Sequence, residues 1–269
     1  MSSPKIAFIG AGNLASAIVR GLLTEKVCAP ADLACTSKTG MTAQKLAADT
    51  GITFEPDLPK LLAGADTVVI AFKPQSLAGA DPRLATLTTG KLVLSVLAGK
   101  KLTRLAQAFP AARNLVRTMP NTPAAIGAGI TPYCTLAPLT AGDRSTVERL
   151  LGALGQHLEL GEEHMDAVTA LSAGGPAFLF EYVGAMRDAG VAAGLPRATA
   201  QKLSIETVLG SARLLARDGG EPEALRDKVV SPNGTTFAGL QVLAARQFRE
   251  TIKETILAST RRAGELSRD

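Results

Sequence analysis

The stretch Ile6-Ala7-Phe8-Ile9-Gly10-Ala11-Gly12-Asn13-Leu14-Ala15 decides how the rest of the chain is read. Its apolar start reads as a strand buried on both faces, and the amphipathic run Asn13–Leu23 reads as the helix that follows. Between them stands a Gly-x-Gly-x-x-Ala turn. In that setting Gly10 permits the tight turn, Gly12 lets backbone approach a pyrophosphate, and Ala15 lets helix pack closely on sheet. The unpaired N–H groups of Ala11, Gly12, Asn13 and Leu14 then meet the phosphates at the positive end of the helix.

Outward from this turn, Lys5–Ile9, Leu33–Thr36, Thr67–Phe72, Leu92–Val96 and Asn114–Thr118 read as buried strands. The stretches Thr42–Asp49, Leu58–Leu62 and Lys101–Ala108 read as helices between them. Such alternation predicts an α/β fold, a Rossmann-type parallel sheet covered on both faces. Gly127–Cys134 adds a strand, Ala141–Leu154 a helix and His157–Leu160 a last strand, which closes a first domain at residues 1–162. From His164 the strand signal disappears. Residues 163–269 read as an all-α domain: Met165–Ala193 as one long helix kinked at Gly174–Pro176, then Pro196–Arg217, Glu221–Val230, Thr235–Ala245 and Phe248–Leu266. Residues Ala177–Ala193 are apolar on nearly every face, which points to burial against another subunit.

Composition narrows the partners. The charge of +5 arises from 29 basic and 24 acidic residues with no basic block longer than a pair, and 4% aromatic content with no Trp offers little for stacking, so nucleic acid is not expected. No signal-peptide core follows Met1, and no apolar run reaches the roughly 18 residues of a membrane span. A cytoplasmic protein without membrane contact is the expectation. Cys28, Cys35 and Cys134 read as buried free thiols, and with only His157 and His164 besides, no zinc spacing exists and no metal is expected.

Cofactor choice lies at the end of the second strand. Asp32 stands at the wrong end of that strand to receive a ribose 2′-hydroxyl, whereas Ser37 and Lys38 follow its carboxyl end and suit a 2′-phosphate. NADPH is therefore the expected cofactor, with NADH as the alternative.

Three further segments lie at carboxyl ends of strands: Ala71-Phe72-Lys73-Pro74-Gln75, Leu97-Ala98-Gly99 and Met119-Pro120-Asn121-Thr122-Pro123. Together with the glycine turn, Ser172-Ala173-Gly174-Gly175-Pro176-Ala177 and Ser231-Pro232-Asn233-Gly234-Thr235-Thr236, they resemble pyrroline-5-carboxylate reductases over essentially the whole chain. The resemblance implies hydride transfer from NAD(P)H to the C=N carbon of a cyclic imino acid, the last step of proline synthesis. It implies that Phe72, Lys73 and Pro74 border the nicotinamide half of the cofactor, with Met119, Asn121 and Pro123 shaping the floor beside it, and that Ala71, Ala98 and Gly99 also contact the cofactor. It implies that the loop Ser231, Pro232, Asn233, Gly234, Thr235 and Thr236 holds the substrate, the Thr236 hydroxyl bonding the imine nitrogen as the catalytic contact. Finally, it implies a homodimer through the helical domain, assembled further into a decamer.

Elementary chemistry agrees with these roles. A cyclic imine reacts as its iminium ion and needs positioning more than a strong acid. Its carboxylate needs donors, which Gly174, Gly175 and Pro176 opening one helix and Ser231–Thr235 opening another can supply. Some positions depart from the family pattern: Gly174 replaces a Ser, Asn233 a Gly, Gly184 an acidic residue and Leu58 an Asn. Ordinary drift and a reductase reshaped for another cyclic imino acid both fit these changes. Two other readings stand beside them. An NADP-dependent 3-hydroxyacid dehydrogenase shares the two-domain plan but wants a Lys–Asn pair on the long helix, and Met165–Ala193 contains neither residue. A nonenzymatic NADPH-binding regulator would bind the cofactor without turning over any imine.

Overall fold

The structure, a computed structural model, describes residues 6–268. Lys5 of the first expected strand, the ends of the two expected domains at residues 1–5 and residue 269 lie outside this range. The strands are β1 (Ile6–Ile9), β2 (Leu33–Thr36), β3 (Thr53–Phe54), β4 (Thr67–Ile70), β5 (Leu92–Ser95), β6 (Asn114–Thr118), β7 (Gly129–Thr135) and β8 (Gly155–Glu159). They form one sheet in the order β3-β2-β1-β4-β5-β6-β7-β8. β1 pairs in parallel with both β2 and β4, so the chain reverses its direction of winding above these strands.

The sheet is parallel, as expected, but for one pairing. β7 runs antiparallel to β6, and β8 is parallel to β7. The segment between Thr118 and Gly129 is too short for a parallel crossover, which takes roughly a dozen residues or more, so the chain can only turn back. The expected strand Thr67–Phe72 ends at Ile70, while β3 and a short helix at Leu84–Leu87 appear where none was read.

Helices α1 (Asn13–Thr24), α2 (Met41–Thr50), α3 (Leu58–Ala63), α4 (Leu84–Leu87), α5 (Leu102–Ala108) and α6 (Ala141–Gly152) accompany the sheet. Alternation along β1 assigns the two cores. Ile6 and Phe8 pack with Val19, Leu22 and Leu150, whereas Ala7 and Ile9 pack with Leu62, Leu105 and Phe109 on the opposite face. Burying each such large side chain contributes about 1.5–3 kcal/mol. Gly21 serves the same packing: a Cβ there would collide with the Ala153 carbonyl oxygen just beyond α6.

The remaining helices are α7 (Met165–Val168), α8 (Gly175–Ala192), α9 (Arg197–Asp218), α10 (Pro222–Lys228), α11 (Thr235–Ala245) and α12 (Phe248–Leu266). Where one kinked helix is expected over Met165–Ala193, the chain winds from α7 into a π-helical turn, Thr169–Ala173, and then into α8. By their contacts the described residues divide into two compact units. One runs to Gly174 and includes the residues from Ser259 onward; the other is Gly175–Ala258. The last strand ends at Glu159, whereas the division by contacts falls later, at the π-turn.

In the second unit α8 and α9 pack on each other, Gly190 lying against Ala200. Few of its side chains are buried: Pro176, Ala200 and Ser204. The apolar face read at Ala177–Ala193 stands open in the single chain, with Phe180 64% exposed. Among the described residues no helix is long and apolar enough to cross a membrane.

Candidate functional site

Gly10 has φ +111°, a conformation that side chains disfavour, and a Cβ there would lie 2.5 Å from Phe72 N and closer still to the Ala71 carbonyl. Its N–H donates to the Thr36 carbonyl at 2.9 Å, and Ala71 N–H donates to the Ile9 carbonyl at 2.8 Å. One residue therefore joins the ends of β1, β2 and β4. Gly12 has a different reason to be glycine: it caps α1 with nothing within 4 Å of where a Cβ would stand. Gly12 and Asn13 are exposed, Leu14 is half-buried and Ala11 is buried, and the first turn of α1 carries no acidic side chain. The open positive helix end fits an anionic pyrophosphate, since a carboxylate there would compete for the same donors.

At the end of β2 the Ser37 hydroxyl accepts from the Ala43 N–H at 3.3 Å and keeps its own O–H to donate, while Lys38 is exposed beside it. At the end of β4, Lys73 is exposed and Pro74–Ser76 forms a single helical turn. Gly99, with φ +73°, follows the exposed Ala98 after β5, and its α-carbon faces the Leu266 carbonyl near the end of α12. After β6, Met119 N–H donates to the Pro132 carbonyl. Asn121 Oδ1 accepts from the Ile130 N–H at 3.0 Å, so that side chain fastens the start of β7. The turn Thr122–Ile126, which contains Pro123, packs against α1. All the residues read as cofactor-binding thus gather on one edge of the sheet.

The residues read as substrate-binding fall in two places. Gly174 has right-handed helical angles and its N–H is spent on the Thr169 carbonyl at 2.9 Å, closing the π-turn. It opens no helix and offers no free donor. Pro176 has no N–H and is buried, which leaves Gly175 as the donor of that trio. The other group is an exposed turn. Gly234 N–H donates to the Ser231 carbonyl at 3.0 Å, Asn233 holds φ +60°, and a Cβ on Gly234 would collide with Ser231 Oγ. Asn is among the residues that tolerate that angle. Gly234 caps α11 and Thr235 and Thr236 form its exposed first turn, with no side-chain cap using their N–H groups.

Charged contacts outside this rim have no motif in the sequence. Arg117, only 3% exposed on β6, bonds Glu162 Oε1 at 2.9 Å, and the same oxygen accepts from the Leu102 N–H at the start of α5. A charge inside the apolar run Asn114–Thr118 was the available signal. At the opposite edge, Arg113 bridges Asp143 at 2.6 Å and Asp66 at 2.8 Å, and these bonds hold its guanidinium well above the usual range against desolvation. Burial pushes the Cys35 and Cys134 thiols up to about 11 and also raises Cys28, which makes all three poor nucleophiles. Among the described residues no three His, Cys, Asp or Glu side chains form a group that could hold a metal.

Comparison with known proteins places these features in context. Residues 162–266 match the family described as pyrroline-5-carboxylate reductase dimerisation, and residues 5–99 match that described as NADP oxidoreductase, coenzyme F420-dependent. The chain is 38% identical to a pyrroline-5-carboxylate reductase of Synechocystis, covering 99% of each chain. The solved pyrroline-5-carboxylate reductase of Coxiella burnetii superposes with a TM-score of 0.93 at 30% identity, over 99% of both chains. The Plasmodium falciparum pyrroline carboxylate reductase, solved with NADP bound, superposes with a TM-score of 0.85 at 26% identity, again over 99% of both.

Proposed function

The chain belongs to the pyrroline-5-carboxylate reductase family, and from that premise we propose that it reduces 1-pyrroline-5-carboxylate to L-proline, the last step of proline biosynthesis. Bound NADPH would supply the hydride for the C=N carbon. Gly10, Ala11, Gly12, Asn13 and Leu14 hold the pyrophosphate at the start of α1, and Ser37 with Lys38 grips the 2′-phosphate. Ala71, Phe72, Lys73, Pro74, Ala98 and Gly99 border the nicotinamide half, with Met119, Pro123 and the fastened Asn121 turn forming its floor.

The observation that carries the substrate reading is the opening of α11. Ser231, Thr235 and Thr236 expose hydroxyls and helix-start N–H groups on a turn set by Asn233 and Gly234. Such an end binds a carboxylate, while the Thr236 hydroxyl holds the imine nitrogen. Gly175 adds a donor and Pro176 shapes the second wall. Nothing in this set is a strong acid, which suits an iminium ion that arrives already activated.

A second reading keeps the chemistry and changes the ring. A Cβ at Gly184 would meet no atom of its own chain closer than Arg187 Nη2 at 4.0 Å, at a position where the family carries an acidic side chain. A larger cyclic imino acid is the substrate this reading favours. The helical unit pairs two copies of the chain, and five such pairs form the decamer; the protein works in the cytoplasm on a small molecule, apart from nucleic acid and membranes.

The test is NADPH oxidation against a panel of five- and six-membered cyclic imino acids, with proline measured as product. Pyrroline-5-carboxylate should be the preferred substrate, and Thr236→Ala should lower kcat/KM by about a hundredfold. Turnover of a different imine with none on pyrroline-5-carboxylate would replace the first reading by the second. Full activity in Thr236→Ala would remove Thr236 from its role.

A further inference from the structure

Among the described residues three side-chain hydroxyls are buried without a hydrogen-bond partner: Thr67, Thr131 and Ser172. Thr67 and Thr131 lie in β4 and β7, where a β-branched side chain suits the pleated surface whatever its hydroxyl does. Ser172 has no such reason to be present. In a helical turn Ala is the better residue, and a buried hydroxyl without a partner destabilises the fold.

The turn that holds Ser172 adjoins the cofactor rim through Thr169. It belongs to the π-turn Thr169–Ala173, a wider winding often found at functional sites. Thr169 and Asp166 line a cavity of about 310 Å3 together with Pro74, Gln75, Ala98 and Gly99, which follow β4 and β5. The other polar groups of the turn are committed: Thr169 Oγ1 donates to the Met165 carbonyl at 2.7 Å, and the Thr169 carbonyl accepts from the Gly174 N–H. Ser172 holds the one side-chain hydroxyl of the turn left over. Its Oγ is covered while the residue as a whole is only half-buried, and χ1 offers that hydroxyl other staggered wells.

We propose that Ser172 is a positioning residue for the nicotinamide, its hydroxyl turning to hydrogen-bond the ring's carboxamide when the cofactor binds. The inference rests on the cofactor reading above. A carboxamide offers both a carbonyl acceptor and N–H donors, and a hydroxyl can satisfy either. Fixing the carboxamide fixes which face of the ring is presented, and the destabilising hydroxyl is then retained for binding rather than for folding.

The experiment compares the full chain with Ser172→Ala, titrating each with NADPH and with 2′-phospho-ADP-ribose, which lacks the nicotinamide, and melting each without ligand. The variant should melt at or above the parent temperature, bind NADPH about tenfold more weakly, and bind 2′-phospho-ADP-ribose equally well. Equal NADPH affinity, or the same loss for both ligands, overturns the proposal. Should Ser172→Ala fail to fold, Ser172→Cys, of similar size but a weak hydrogen-bonding group, is held to the same two titrations. Failure of the parent to bind 2′-phospho-ADP-ribose at all would overturn the cofactor reading itself, whereas a parent that binds it and an indifferent Ser172 would overturn this inference alone.

Discussion

Phe8, Val19 and Leu22 of the first unit are wholly buried, whereas Phe180, Leu214 and Val229 of the second stand 64%, 56% and 68% exposed. Both units are rich in the same apolar side chains, so composition does not separate them. A sheet covered by helices on both faces closes two cores within one chain. Helices α8 to α12 present apolar faces that the described single chain leaves uncovered, and a face of that extent marks an interface. The first unit thus closes its own cores and holds the proposed dinucleotide site, while the second needs another surface before its apolar residues leave water.

Gly10→Val would sharpen the contrast most. The new side chain meets the Ala71–Phe72 peptide at a φ of +111°, so the nucleotide turn must move. We expect NADPH affinity to fall by about a thousandfold or more in a binding titration, while the helical unit still assembles. Retained NADPH affinity would show that the turn is not the anchor.

A smaller effect should come from alkali. Cys28, Cys35 and Cys134 all lie in the first unit, buried and un-ionised. Burial raises the folded Cys35 and Cys134 thiols from 9.0 to about 11, so in that interval the unfolded chain binds fewer protons than the folded chain. Stability then falls as pH rises from about 9 to 11 and is unaffected by these thiols below that window. Denaturant midpoints measured across the range should decline, and less steeply in a Cys35→Ala, Cys134→Ala variant. An unchanged slope in the variant would remove the thiols as the cause.

What the sequence made readable follows the same divide. Gly12 and Ala15 stand in a local strand-turn-helix pattern that the sequence displays, and the positive φ of Gly10 belongs to the same turn, although the Ala71–Phe72 peptide it lies against does not. Gly21, Asn121 and Glu162 act through partners far along the chain, Ala153, Ile130 and Arg117, and no local pattern names a distant partner. β3 escaped because two residues carry no periodicity, and β4 was read too long because Ala71 and Phe72 are as apolar as the strand they leave. The π-turn escaped because periodicity registers a helix and not the surplus residue in one of its turns. In the helical unit the uniformly apolar run from Ala177 was informative because no amphipathic pattern could be found in it, and that lack foretold the uncovered face.

The most direct test of an incomplete helical unit is sedimentation of the full chain beside Phe180→Asp over a range of protein concentrations. The parent should sediment as a dimer or a larger assembly of dimers, with a melting temperature that rises with concentration, while the variant shifts toward monomer, keeps NADPH affinity within about twofold and loses most imine reduction. A parent that is monomeric and equally stable at every concentration would contradict it.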